Sequence, residues 1–203
     1  MRLSSSFFCL FGLALAAFST AFAQPSALTV DISSREEVRQ FYRAVYFASE
    51  NVPMGWTGSY ALRAGLPDFG DTSPAFKEAT RLRINFYRAL VGVPADIRFD
   101  NEYNVKAQQA ALMVSANNEL NHFPPATWTF YTADGAEAAG KSNLAVGYSG
   151  PRAIDGYIAD AGPSNAVVGH RRWLSYPQTL RMGTGDVPGS GLNRPAANAV
   201  WII

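Results

Sequence analysis

The amino-terminal segment limits the possible folds most, because it has the features of an export signal and contains the only cysteine of the chain. Arg2 gives it a positive start, and residues 7–18 form an apolar run. Ala21 and Ala23 then provide the small residues that a signal peptidase requires. The run is shorter than the ~20 apolar residues that span a membrane. We therefore predict a signal peptide over residues 1–23 and a mature protein that is secreted, extracellular or periplasmic, with no membrane span.

Cleavage at that point leaves 180 residues, 203 minus 23, and no cysteine, because the single Cys9 leaves with the signal. An exported chain without disulfides must be stabilised by packing alone. The remaining length suits one domain with a substantial core. The sequence therefore argues against a small disulfide scaffold, and it favours a bacterial secreted protein over an animal or plant one.

The charge balance argues against a nucleic-acid partner. The full chain has 17 Lys and Arg against 16 Asp and Glu. Arg2 leaves with the signal and no acid does, so the mature part carries 16 charges of each sign. A neutral domain has no broad attraction for a phosphate backbone or an anionic lipid surface.

Cap residues and apolar periodicity predict a largely helical chain with two strands near its end. Ser34 followed by Glu37 starts a helix over residues 34–49. Residues 51–74, rich in Gly and Pro, are predicted to form a connecting loop. Pro74 then opens a second helix. Its predicted buried face consists of Ala79, Leu82, Phe86 and Leu90.

The second half of the chain gives three more helical segments before the strands. They are predicted to start at Asp100, at Gly150 and at residue 165. The predicted strands are residues 180–184 and 198–203. The apolar run of the last strand continues to residue 203, so we expect the domain to be truncated there.

The order of six short segments resembles the CAP superfamily of SCP-like and pathogenesis-related-1-like extracellular domains, in its bacterial type. No single segment is specific, but the six follow one another with sensible spacing. The match covers roughly residues 79–203. The segments, with the family pattern each resembles, are residues 81–94 (LN..R...G..P), 107–113 (A...A..M), 120–122 (L.H), 142–145 (ENLA), 169–174 (GHR.NIL) and 182–185 (VGVG).

This resemblance implies an α+β fold, an α-β-α sandwich with a small central antiparallel sheet flanked by helices. The CAP domain would cover residues 76–203, with residues 24–75 as an N-terminal helix and loop packed on it. The resemblance also implies a cleft with two histidines and two acids, which holds a divalent metal in some members. The two histidines of the chain, His122 and His170, both fall on the family's histidine positions.

The acidic partners are less well matched. The family's first cleft acid aligns with Ser142, and Glu137 is the candidate that would reach back to replace it. The second acid matches Asp160, with Asp155 as the alternative. Further residues with possible ligand contact are Ser142, Asn143 and Arg171.

These observations predict a binding or interaction module in which a two-histidine cleft holds a divalent metal such as zinc weakly. Its partner would be a protein, lipid or glycan outside the cytoplasm or in the cell wall. The alternative is a weak metal-dependent hydrolase of protease type, in which Glu137 or Asp160 activates water. Aromatic residues near the cleft segments belong mostly to the core, and a few would line an apolar groove. They are Phe123, Trp128, Phe130, Tyr131 and Tyr148.

Overall fold

A four-stranded sheet separates two helical layers in the computed structural model, which describes residues 27–203. The predicted signal peptide, residues 1–23, lies outside the described residues. The described helices are α1 (Arg35–Phe41), α2 (Pro74–Leu90), α3 (Asn101–Asn117), α4 (Ala133–Lys141), α5 (Gly150–Ala159) and α6 (Gly169–Leu174). The described strands are β1 (Ser59–Arg63), β2 (Leu66–Asp68), β3 (Arg98–Phe99), β4 (Ser142–Val146), β5 (Arg181–Val187) and β6 (Ala197–Trp201).

The central sheet has the strand order β3-β5-β6-β4. Strand β6 pairs antiparallel with both neighbours, so that Trp201 lies opposite Gly183 on one side and Ser142 on the other. This confirms the predicted α+β sandwich and the pairing of the two predicted strands. The sheet is not wholly antiparallel, however, because the edge strand β3 runs parallel to β5.

One face of the sheet packs against α3 and α4. Ala197, Ala199 and Trp201 of β6 point into this core, together with Ala107, Ala110 and Ala111 of α3. The small side chains allow α3 to approach the sheet closely. A Cβ atom at Gly185 would overlap the backbone of Ala107 and Gln108, so glycine is required at this position in β5.

The opposite face carries the alternate residues of the same strand, as the period of two requires. Val200 and Ile202 point into a second core with Ile84 of α2, Ile154 of α5 and Leu174 of α6. The sheet is therefore covered on both faces, which leaves its ends and the connecting loops as the places for a site.

Helix α2 starts at Pro74 with the hydroxyl of Ser73 accepting from the backbone N–H of Phe76 (3.1 Å), as its sequence predicts. Its burial differs from the prediction: Leu82 and Leu90 are only half-buried, whereas Arg83 and Arg88 are fully enclosed. The difference arises because the loop after α6 covers Arg88 and the N-terminal segment covers Arg83, on sides of the helix that a single apolar stripe does not reveal.

The N-terminal segment is α1 with its continuation, a π-helical turn (Tyr42–Tyr46) and a 3-10 turn (Phe47–Ser49). Phe41 stacks on Phe86 of α2 with ring centroids 5.2 Å apart. Arg83 forms ion pairs with Glu50 and with Asp155 of α5, which links the segment to two helices. The N-terminal segment thus packs on the sandwich through aromatic stacking and a partly enclosed ion cluster.

Five of these helices and strands were not predicted from the sequence: β1, β2, β3, α4 and β4. The glycine-rich loop contains the hairpin β1–β2, and the segment around Glu137 forms helix α4 with Thr132 as its cap. Strand β4 follows α4 directly. The helix and strand matter for function, because they bring residues 139–143 to the end of the sheet beside α6.

Candidate functional site

An open cleft of about 400 Å³ lies where the end of the sheet meets α6 and the loop after α3. His122 and His170 both line it. Lys141, Ser142 and Asn143, at the junction of α4 and β4, also line it. The structure therefore brings the two sequence-predicted histidines to one cleft, although 48 residues separate them in the chain (170 minus 122).

His122 is held by the end of helix α4. Its Nδ1 lies 2.7 Å from the backbone oxygen of Ala139. Ala139 belongs to the last turn of α4, where backbone carbonyls lack a partner within the helix. A carbonyl oxygen can only accept, so Nδ1 carries the proton and donates. The imidazole thus caps α4 and is left with a lone pair on Nε2.

His170 is held in the same way by a carboxylate. Its Nδ1 lies 2.8 Å from Oδ1 of Asp160, whose side chain is completely buried. The other oxygen of Asp160 accepts from the backbone N–H of Arg171 at 3.3 Å. Asp160 has a left-handed backbone (φ 47°) where α5 ends, which turns the chain away from the helix next to this contact. Asp160 therefore orients His170 from behind and does not line the cleft.

Both imidazoles consequently have Nε2 available for a ligand. With Nδ1 used as a donor in each ring, Nε2 is the nitrogen that can accept a hydrogen bond or coordinate a metal. Neither Nε2 forms a hydrogen bond with a described residue. Histidines that bind metals in proteins are usually fixed by this kind of contact at the second nitrogen.

Ser142 and Asn143 line the same cleft as the two histidines. The amide of Asn143 donates to the backbone oxygen of His170 at 3.1 Å, and so ties β4 to α6. The hydroxyl of Ser142 is buried and has no hydrogen-bond partner among the described residues. Position 142, which the resemblance matched to an acid of the cleft, thus carries a small neutral side chain.

Glu137 does not reach back to replace the missing acid. It lies on α4, and its two carboxylate oxygens accept from Lys106 and Lys141, each at 2.8 Å. These two ammonium groups lower its pKa to about 2. Lys141 itself lines the cleft, so the charge nearest the histidines on this side is positive.

Two further candidates from the sequence, Asp155 and Arg171, form their contacts outside the cleft. Asp155 bonds the guanidinium of Arg83 and the hydroxyl of Tyr87, on the side of α5 that faces α2. Arg171 does not line the cleft, because its guanidinium donates to the backbone oxygens of Ile158 and Ala159. Arg171 therefore caps the end of α5, which is the ordinary role of a basic side chain at a helix C-terminus.

The donor set is incomplete for a tightly held metal. Within residues 27–203, no group of three or more His, Cys, Asp or Glu side chains could hold an ion together. The two Nε2 atoms are suitable zinc donors, but zinc sites in proteins normally use at least three protein ligands. Two imidazole nitrogens alone supply fewer protein ligands than such a site normally uses. In the same range, no helix has the length and apolar character needed to cross a membrane.

Sequence reasoning missed several residues that shape the cleft. Phe123 was among the aromatic candidates, and it does line the cleft, with 87% of its surface exposed. Trp173 and Val167, which form the wall next to His170, were not identified. The position of Trp173 only three residues after His170 is the signal that could have indicated it. Of the other aromatic candidates, Phe130 is buried in the first core, and Trp128 and Tyr131 pack against it.

Comparison with known proteins agrees with this architecture. The model of a family described as CAP, the cysteine-rich secretory protein family, matches residues 82–202. This range covers more than half of the 203-residue chain and includes both histidines, Ser142 and Asp160. No curated protein and no solved structure matches the chain.

Proposed function

Because this chain belongs to the CAP (cysteine-rich secretory protein) family, we propose that it acts outside the cytoplasm as a binding module whose site is the two-histidine cleft. One observation carries the proposal. Two imidazoles that line one cleft have their Nδ1 atoms anchored, by Ala139 and by Asp160, so that both Nε2 atoms remain for a ligand. Anchoring two side chains in this way fixes their orientation before a ligand arrives, which reduces the entropy cost of binding.

The composition of the cleft also favours binding over catalysis. Apolar walls with a few fixed polar groups are typical of ligand sites. Phe123, Val167 and Trp173 supply exposed apolar surface around the histidines. The ligand would be a molecule in the surroundings of the protein or a component of the cell wall, a class that the further inference below narrows.

We propose in addition that the cleft takes up a divalent metal such as zinc weakly. His122 and His170 would hold the ion through their Nε2 atoms, and water would complete its coordination. A bound zinc ion would supply a positive centre that attracts an oxygen of the ligand. Affinity should be low because neutral imidazoles offset none of the metal charge, and Lys141 opposes it. Because a proton and the metal compete for the same nitrogen, acid should weaken the binding further.

Titration calorimetry with zinc chloride tests this site. We expect weak binding to the wild type, and a loss of at least about tenfold in affinity for both His122→Ala and His170→Ala, because each removes one of two ligands. Asp134→Asn is the matched control, as Asp134 is an exposed acid at the start of α4 and should leave the titration unchanged. Equal zinc binding by the wild type and both histidine variants would refute the shared site.

A metal-dependent hydrolase remains the alternative use of the same cleft, and the contacts give it less support. It requires a carboxylate that can take a proton from water near the metal. Glu137 is paired with two lysines, and Asp160 is buried behind His170. Hydrolysis of a casein substrate that depends on zinc and on both histidines would favour this alternative over a pure binding module.

Secretion is part of the proposed function and rests on the sequence of residues 1–23. The expected cleavage before Gln24 can be checked by amino-terminal sequencing of the exported protein. Retention of Met1 on the protein outside the cell would contradict it.

A further inference from the structure

The two-histidine cleft adjoins a second groove along α6. The second groove measures about 470 Å³ and is lined by Arg172, Trp173, Ser175, Tyr176 and Pro177, together with Gly169. Gly169 and Trp173 line both hollows. We call the combined surface the α6 trough. It has more volume than the histidine site alone, so it can accommodate an extended ligand with several repeated units.

The second groove has a fixed wall. Arg88 is fully buried, and its guanidinium donates to the backbone oxygens of Leu174 (2.7 Å), Tyr176 (3.0 Å) and Thr179 (3.0 Å). These contacts hold the loop that follows α6. Trp173 and Tyr176 meet edge to face at 6.1 Å, yet both keep about two fifths of their surface exposed (41% and 42%). Two aromatic rings are thus held in place and remain open to a ligand.

The trough carries positive charge and no negative charge. Of the described residues that line its two parts, none is Asp or Glu, whereas Lys141 and Arg172 are basic. Lys141 is bonded to Glu137, but Arg172 forms no ion pair with a described residue. A ligand with an anionic group is therefore favoured next to Arg172.

The remaining groups of the trough require two further properties of the ligand. The Nε2 lone pairs of His122 and His170 need hydrogen-bond donors. The faces of Trp173 and Tyr176 carry negative π density and attract weakly positive C–H groups. A fatty acyl chain would leave both histidines without a partner. A sugar ring offers several hydroxyl donors at its edge and an apolar C–H face.

We propose that the α6 trough binds an acidic glycan, a chain of sugars that carries carboxylate groups. In the metal-free cleft Trp173 stacks on one ring, Arg172 pairs with a carboxylate, and the hydroxyls of a neighbouring ring donate to the Nε2 atoms of His122 and His170. The inference rests on the proposed function, because it assigns a ligand class to the same cleft.

A titration of the protein with sugar probes, monitored by amide NMR with EDTA present to remove metal, tests the proposal. The probes are hexasaccharides of galacturonate, alginate and hyaluronan, and each has a methyl-esterified counterpart in which the carboxylates are neutral. We expect at least one acidic probe to bind about tenfold or more tightly than its ester, since a charge-assisted hydrogen bond is then lost. The amide resonances of residues 169–176 should shift.

Three variants separate the contribution of the Arg172 charge from that of stacking on Trp173. Arg172→Gln should weaken the acidic probe about tenfold and leave its ester unchanged, whereas Trp173→Ala should weaken both. Trp173→Phe retains an aromatic face and should retain binding, which distinguishes loss of stacking from misfolding. Arg152→Gln replaces an exposed arginine on α5 as the matched control.

Absence of binding by every acidic probe would overturn the inference, as would equal binding of acids and esters. Binding of an acidic, proline-rich peptide in the trough, in place of the sugars, would overturn it as well. If the two histidines still bind zinc but no glycan binds, only the glycan assignment is wrong and the proposed zinc site stands.

Discussion

Replacing the buried acid Asp186 should change how the stability of this protein depends on pH. Asp186 lies in β5 and is enclosed by the sheet and α5. Burial raises its pKa from an ordinary 3.8 to about 6. Three donors oppose that increase by binding the carboxylate: the N–H of Gly150 (2.5 Å), the amide of Asn198 (2.8 Å) and the hydroxyl of Thr184 (3.1 Å).

The direction of the effect follows from the raised pKa. The folded protein holds the Asp186 proton more tightly than the unfolded chain, so this residue adds stability below pH 3.8, and the contribution is lost as the pH rises through about 6. At 1.36 kcal/mol per pKa unit, the full effect is about 3 kcal/mol of unfolding free energy. About 2 kcal/mol of this should be gained between about pH 7.5 and 4.5.

The variant Asp186→Asn keeps the shape of the side chain and removes the titration. Its amide oxygen can still accept from Gly150 and Asn198, and the Thr184 hydroxyl can rotate to accept from the new NH₂ group. Urea unfolding followed by tryptophan fluorescence at the two pH values gives the unfolding free energy of both proteins. We expect the wild type to gain about 2 kcal/mol more than the variant on acidification.

The difference between the two proteins isolates Asp186, because the other titrating groups are common to both. Asp134→Asn, at an exposed position, should behave like the wild type. If the wild type and Asp186→Asn show the same dependence on pH, the folded pKa of Asp186 is not raised and the argument fails.

Two further substitutions test the buried arginine and the missing cleft acid. Arg88→Met should lower the unfolding free energy by about 3–5 kcal/mol in urea titration, because four backbone oxygens lose a buried charged donor. Arg152→Met, at an exposed site, should change it by less than about 0.5 kcal/mol, and equal effects would contradict the role of Arg88. Ser142→Glu should strengthen zinc binding at least about tenfold in calorimetry by adding a charged ligand. Ser142→Gln, of similar size but neutral, should not, and equal affinity of the two variants would show that position 142 does not face the metal.

The sequence alone was sufficient for features that depend on local chemistry. Ser73 and Asp100 predicted the starts of α2 and α3, since a cap residue satisfies N–H groups within its own turn. The order of the family segments implied the sandwich, and the apolar run at residues 198–203 predicted its last strand. The two histidines could be named because the chain contains only two.

The acids of the site could not be predicted in the same way. Glu137 was a candidate because it lies close to Ser142 in the sequence. In the folded chain it lies on helix α4, where Lys106 and Lys141 bind it. Nothing in the local sequence shows that Lys106, 31 residues earlier, comes within reach of that helix. Asp160 matched the family position, but whether it lines the cleft or supports His170 depends on the turn at the end of α5.

What the sequence determined by itself were the elements and the residue types available to the cleft, because caps, periodicity and motif order act over a few residues. The tertiary structure decided which of those residues meet and which groups remain available. Packing of α4 against α3 supplies the carbonyl of Ala139 to His122, and the end of α5 supplies Asp160 to His170. The placement of Trp173 and Tyr176 beside the histidines depends on Arg88, which reaches from α2 to carbonyls 86 and 88 residues away. Contacts of that range are set by how the layers pack.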